Sequence, residues 1–168
     1  LKIAKARASK LNSAHVLERL QHYFELTEEA ELITIGQHNF KQYRQAIINL
    51  QKEVYEPARQ TDITKFEETV SHKNSIGLGI LKSNKLVAIA FAGPLKIYPF
   101  ERGVRADKHF HNENVLYMLD VTVSNALQGH HIGRDIKYAL YALASSMGVE
   151  RLHGRNRDRL ARAMININ

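Results

Sequence analysis

Cysteine is absent from the 168 residues. That absence excludes disulfides, thiolate metal sites and a catalytic thiol, and it fits a reducing compartment, so the cytoplasm is the expected location. Long apolar runs are missing too. The longest, from Leu86 to Gly93, falls far short of the ~20 residues that cross a bilayer, and no membrane association is expected. The N-terminal segment carries Lys2, Lys5, Arg7 and Lys10 without an acid, yet it lacks the apolar centre of a secretory signal. Repeats and low-complexity tracts are absent. No G-x-G-x-x-G follows a strand-like segment and no Gly-Lys-Ser/Thr completes a P-loop, which removes two common phosphate motifs.

The length suffices for one domain with a proper core, and 44% of the residues are hydrophobic. A formal net charge of +7 points to anionic partners and leaves the fold undetermined.

Periodicity supplies the elements. Residues 1–30 read as a helical extension, with Val16, Leu20 and Phe24 in an i, i+4, i+8 stripe and Leu17 beside it. Glu31 to Ile35 reads as a short strand closed by Gly36. Phe40, Tyr43, Ile47, Leu50 and Val54 predict a helix ended by Pro57, and Ile63 to Val70 a shorter one capped by Thr61 or Asp62. Ile76 to Leu81 and Leu86 to Phe91 are apolar strands joined across Ser83-Asn84, which is hairpin chemistry. Pro94 to Asn114 reads as a long loop, of the length that tends to be functional or mobile. Val115 to Val123 is a β-branched and aromatic strand; Ile132, Ile136, Leu140, Leu143 and Met147 mark a helix that stops at Gly148; Glu150 to Gly154 is a short strand.

Between the last long strand and its helix lies Gln128-Gly129-His130-His131-Ile132-Gly133-Arg134. A strand that feeds a helix through such a turn leaves backbone N–H groups unpaired where the macrodipole favours negative charge, so a phosphate or pyrophosphate fits there. This segment resembles the acetyl-CoA-binding motif of the GNAT superfamily of N-acetyltransferases: Gln or Arg, any two residues, Gly, any residue, then Gly or Ala. Gln128, His131 and Gly133 take its defined positions, with His131 standing where the family has glycine. The order of elements over residues 31–168 is also that of the family. The resemblance implies an α/β domain with a mixed, mostly antiparallel sheet flanked by helices, preceded here by the helical extension. It implies acetyl-CoA as cosubstrate, bound by residues 128 to 134, and a primary amine as acceptor, which the sequence does not identify. The family's sheet continues with further strands after the helix that opens near Asn156, and the chain has no initiator Met, so a piece of a longer polypeptide, or a homodimer or further domains completing the sheet, is the expectation.

Within that resemblance, Val121, Thr122 and Val123 fall where the family's splayed strand offers backbone N–H groups to the pantetheine and thioester, and Asn156 falls where it contacts CoA. Asp120 is the one carboxylate in its strand and, by alternation, is expected on one face with Met118 and Thr122. A buried carboxylate is costly unless paired or useful; some family members hold an acid here that binds the ammonium or accepts its proton, while a structural Asp bonded to local groups is the plain alternative. The family's tyrosine acid would fall at Ala163. Arg134, in the first turn after the loop, has the better claim on a phosphate, whereas Arg151, Arg155, Arg157, Arg159 and Arg162 read mainly as a solvated face. His109-x-His111-x-Glu113 has zinc-binding residue types, but no regular element fixes its spacing and no fourth ligand is in view, so no metal is expected.

Two rival functions remain. A non-catalytic acyl-CoA-binding or interaction domain is motivated by His131 and Ala163. A nucleic-acid module is motivated by the charge, although no basic strand interleaved with aromatics and no recognition helix is evident, so no specific nucleic acid is expected.

Overall fold

A computed structural model describes residues 30–154. The helical extension, Asn156, Ala163 and the arginines beyond Arg151 lie outside the described residues. Five strands form one sheet in the order β1-β2-β3-β4-β5: β1 Ala30–Thr34, β2 Ile76–Lys82, β3 Lys85–Pro94, β4 Val115–Val123 and β5 Arg151–Gly154. Pairing is antiparallel except between β4 and β5, which run parallel. Helices α1 (Phe40–Val54) and α2 (Ile63–Ser71) connect β1 to β2, and α3 (Ile132–Ser146) connects β4 to β5. The sheet is mixed, mostly antiparallel and flanked by helices, and each predicted element from 31 to 154 is present, β1 beginning one residue earlier than the sequence suggests.

Local chemistry accounts for the punctuation. Ser83 and Asn84 both take positive φ (48° and 62°), the backbone of a two-residue hairpin whose twist matches the flanking strands. Asp62 caps α2, its carboxylate accepting from the Thr64 N–H at 2.9 Å; Thr61 bonds elsewhere. Gly148, at φ 77°, ends α3 in a Schellman turn, with the Val149 N–H on the Ala144 carbonyl and the Gly148 N–H on that of Ser145.

Two apolar layers hold the sheet. On one face Leu78, Ile80, Ala88, Ala90 and Leu116 pack under Ile136, Leu140 and Leu143 of α3. On the other, Ile35, Ile89 and Phe91 meet Ile47 and Leu50 of α1 and Phe66 of α2, Phe66 lying edge-on to Phe91 with centroids 4.9 Å apart. Ala88, Ala90 and Ala92 of β3 lie on the α3 side, while Leu86, Ile89 and Phe91 lie on the side of α1 and α2.

The long loop is more built than its composition suggests. Leu95–Ile97 forms a short 3-10 turn, and Leu95, Tyr98 and Val104 pack on Val115 and Tyr117 as a third small core. Tyr98 shares a 2.7 Å hydrogen bond with Thr69 of α2, and burial pushes its phenol well above the ordinary tyrosine range.

Strand β4 corrects one expectation. Its register against β3 pairs Ala92 with Met118 but Phe91 with Asp120, so Leu119 is an extra residue, a β-bulge. Met118 packs toward α3, Leu119 toward α1 and α2, and Asp120 and Thr122 reach groups beside α1. Asp120 therefore shares a face with Thr122 and not with Met118. Period two holds on either side of the bulge and fails across it.

Candidate active site

β4 pairs with β5 only from Val115↔Arg151 to Met118↔Gly154. Beyond Met118, among the described residues, no strand covers that edge. The Ser124 N–H bonds the Val87 carbonyl of β3 at 2.8 Å, so by alternation the N–H and C=O groups of Val121 and Val123 point the opposite way, to the uncovered edge. Side chains cap the two carbonyls: the Gln128 amide donates to the Val123 oxygen at 3.3 Å and the Tyr55 hydroxyl to the Val121 oxygen at 3.4 Å. No described group accepts from the two N–H groups.

The loop at 128–134 continues this edge. Gly129 and His131 take positive φ, 85° and 63°, and His131 is the N-cap of α3 without a side-chain cap bond. Its carbonyl accepts from the N–H groups of Arg134 (2.9 Å) and Asp135 (3.0 Å). Among the described residues the N–H groups of His131, Ile132 and Gly133 have no backbone acceptor, and they gather at the helix N-terminus, a concavity suited to a phosphate oxygen. His130 and His131 are exposed. At Gly133 a Cβ would only touch Val123 Cγ2 at 3.5 Å, so packing within the protein does not demand glycine there. The positions that do want it are 129 and 131. Arg134 is exposed and bonds Asp135 through Nε at 3.0 Å.

The opposite wall is the end of α1 and the segment after it, which periodicity alone does not reveal. Asp120 accepts from the Thr61 hydroxyl at 2.8 Å and from the Thr122 hydroxyl. Thr122, fully buried, accepts in turn from the Gln51 amide at 2.8 Å, and the Gln51 oxygen accepts from the Thr61 N–H at 3.0 Å. Burial raises the Asp120 carboxyl above its ordinary range, while the hydrogen bonds from Thr122, Thr61 and Gln51 work against that. A pocket of about 340 Å³ opens beside this network between α1 and α2, lined by Gln51, Gln60, Thr61, Asp62 and Phe66 among others. Tyr55 stands where the pocket wall meets the uncovered edge, with the Arg59 guanidinium 5.2 Å from its ring centroid. Burial raises its phenol, and the neighbouring Thr122 pulls it back.

Glu53 ties the two walls together. Its carboxylate accepts from the Ser124 hydroxyl (2.6 Å) and the Asn125 N–H (2.9 Å), and its carbonyl accepts from the Asn125 amide (2.8 Å). The Ser124 bond is the main reason its carboxyl lies below the ordinary glutamate range.

The histidine-rich loop disperses. His109 stacks edge-on to His153 at 6.2 Å, His111 on Phe110 at 5.0 Å, and Glu113 pairs with Lys96. Among the described residues no cluster of three His, Asp or Glu side chains is placed to hold a metal, and no helix is long and apolar enough to cross a membrane.

Solved structures share this architecture. The aminoglycoside acetyltransferase meta-AAC0020 from an uncultured soil metagenomic sample, in complex with sisomicin, matches 85% of this chain and 88% of its own at 16% identity and a TM-score of 0.61. AAC(6')-Iy, in complex with the bisubstrate analogue CoA-S-monomethyl-acetylneamine, matches over 82% and 88% at 10% identity and a TM-score of 0.57. A GNAT family acetyltransferase of Staphylococcus aureus subsp. aureus matches over 78% and 89% at 9% identity and a TM-score of 0.53. No family model and no curated protein sequence matches the chain. At these identities the likeness is one of architecture, and the fold of this chain is the GNAT fold.

Proposed function

We propose that the chain transfers an acetyl group from acetyl-CoA to a primary amine by direct attack, without a covalent enzyme intermediate. The observation that carries this reading is the continuity of two sets of free N–H groups. Those of Val121 and Val123 on the uncovered β4 edge run into those of His131, Ile132 and Gly133 at the start of α3. A pantetheine amide suits the first set and a pyrophosphate the second. Gln128 and the Gly129-His130-His131 turn shape the join, and Arg134 adds positive charge. Asn156 is assigned to the same cosubstrate by resemblance alone. In this reading the N–H of Val121 holds the thioester carbonyl and stabilises the oxyanion formed on attack.

The amine enters from the pocket beside Thr61 and Gln51, and Asp120 attracts the ammonium or takes its proton. One Asp120 oxygen accepts from the Thr61 hydroxyl and the other from that of Thr122. The uplift of its carboxyl moves it toward the basicity a general base needs. The similar structures include proteins described as aminoglycoside acetyltransferases, which makes aminoglycosides the first amines to assay.

The test has two parts. Calorimetry with CoA and acetyl-CoA measures binding, and a mass-spectrometric screen of acetyl-CoA against pooled amines, sisomicin included, measures turnover. Binding with turnover supports transfer. Binding without turnover of any amine supports instead a non-catalytic acyl-CoA-binding domain, and no CoA binding overturns both.

A further inference from the structure

Resting on the transfer reading above, we propose that Gln51 is a positioning residue for Asp120: its amide sets the direction of the hydrogen bonds around the carboxylate, so that both oxygens receive a hydroxyl proton and the side chain is held as an acceptor. Three parts of the fold meet in this ring. Gln51 comes from α1, Thr61 from the segment before α2, and Asp120 and Thr122 from β4. Gln51 is 2% exposed and Thr122 is fully buried, so their polar atoms depend on partners inside the protein.

The direction follows from which atoms can only donate. The Thr61 N–H is one, and it meets the Gln51 oxygen at 3.0 Å. That contact decides which end of the amide faces which wall, and it leaves the amide nitrogen, also a donor only, on the Thr122 oxygen at 2.8 Å. Thr122 accepts there and turns its single proton to one Asp120 oxygen. The Thr61 hydroxyl donates to the other. The ring is then closed, and Asp120 is its one member that only accepts. An ionised carboxylate in place of the Gln51 amide would donate nothing to Thr122, and an alkyl chain would hold neither threonine.

Charged and titratable neighbours are engaged elsewhere. Glu53 bonds Ser124, Tyr55 the Val121 carbonyl, Arg59 Glu56, and Asp62 Thr64, while Phe91 of β3 stands opposite Asp120 in the sheet. The bonds to the Asp120 carboxylate come from the two hydroxyls that the Gln51 ring orients. Burial raises this carboxyl, and Thr122, Thr61 and Gln51 are the groups that oppose burial. Removing Gln51 should therefore reach the amine through Asp120 alone.

The experiment uses the full chain with acetyl-CoA and sisomicin, or the pooled amine with the largest turnover if sisomicin is inert. Gln51→Met keeps the length of the side chain and removes both polar contacts. It is expected to lower kcat/KM for the amine by roughly tenfold, within the cost of a misplaced catalytic group, and to leave the CoA Kd unchanged. The acid limb of its pH profile should move upward, because a hydroxyl left free to turn opposes burial less. In an Asp120→Asn background the same substitution should cost nothing further, since both act through one carboxylate. Gln51→Glu is the second variant. Protonated, its carboxyl can accept from Thr61 and donate to Thr122 as the amide does, whereas ionised it can only accept. Its stability should match the parent's at low pH and fall behind as pH rises through the glutamate range, with the same upward shift of the acid limb. Melting curves across pH show which variants fold, and Gln51→Glu carries the test if Gln51→Met does not. A parent-like kcat/KM and acid limb in a folded variant overturns the proposal. So does a loss that persists undiminished in the Asp120→Asn background, which would place the effect of Gln51 outside the carboxylate. Full activity of Asp120→Asn removes the base, and this proposal with it, while leaving transfer intact. A parent protein that binds no CoA or acetylates no amine overturns the transfer reading and this proposal together.

Discussion

Replacing His131 with glycine tests the anion-binding turn most sharply. His131 holds φ 63° as the N-cap of α3, and it is exposed with no side-chain cap bond. A left-handed backbone costs an L-residue about 1–2 kcal/mol. Glycine escapes that strain but gives back about 0.5–1 kcal/mol through the greater freedom of its unfolded chain. The balance is a gain of about 0–1.5 kcal/mol, which for a chain of this size raises Tm by up to about 6 °C. His131→Ala keeps the strained backbone and loses only the imidazole, so its stability should stay within about 0.5 kcal/mol of the parent. Denaturant unfolding of the three proteins measures the difference, and calorimetry measures CoA affinity, which the glycine should keep or improve by opening the approach to the N–H groups. Two results would refute the reasoning. One is a glycine variant less stable than the alanine variant. The other is a tenfold loss of CoA affinity in both, which would make the imidazole itself a ligand contact.

Gly133→Asp should leave Tm unchanged or slightly raised, since its Cβ meets only Val123 Cγ2 and an acid suits a first turn, yet abolish CoA binding by repulsion; calorimetry on the folded variant decides it. Asp120→Asn should keep CoA affinity and cut turnover by about 10²–10⁴-fold if Asp120 is the base, with partial rescue at higher pH, where more amine is already neutral. Because burial raises the Asp120 carboxyl, the acid limb of the parent's kcat/KM profile should lie above the ordinary aspartate range. The native state binds this proton more readily than the unfolded chain, so stability from Asp120 is greatest at low pH and declines as pH rises through the raised value; Asp120→Asn should remove that decline in denaturant titrations across pH. Glu53 has the opposite sign, its carboxyl being lowered by Ser124 and Asn125. Its contribution is present above the unfolded value and lost as pH falls through the lowered one, so Glu53→Gln should flatten the acid side of the stability curve. Nucleic-acid binding should be weak and fall steeply with salt; tight, sequence-specific binding at physiological salt, unaffected by CoA, would contradict that.

The elements and the turn at 128–134 were legible because each rests on neighbours in sequence. Helix α1 announces itself through Phe40, Ile47 and Leu50, and β4 through its β-branched run. The acceptor wall was not legible. Gln51 reads as one more polar position on α1, Tyr55 and Thr61 as parts of a connection, yet they meet Thr122, Val121 and Asp120 from 59 to 71 positions away. Glu53 reaches Ser124 and Asn125 over similar separations. Such pairs follow from how α1 crosses the sheet, which periodicity does not encode. The bulge at Leu119 escaped for a related reason: nothing local marks it, and only the partner strand shows that β4 is one residue too long.

That surplus residue sits where β4 parts from β5: Met118↔Gly154 is the last pair of the two strands, and the next residue is the bulge. Leu119 can be exchanged for another apolar side chain at modest cost, because what matters is that a residue is there to be skipped. Deleting it would let Ala92↔Met118 run straight into Phe91↔Asp120, with Asp120 and Thr122 still toward α1 and Val121 and Val123 still toward α3. What would go is the bend, since a bulge twists and deflects its own strand. The skipped residue therefore shapes the open edge and does not choose the face.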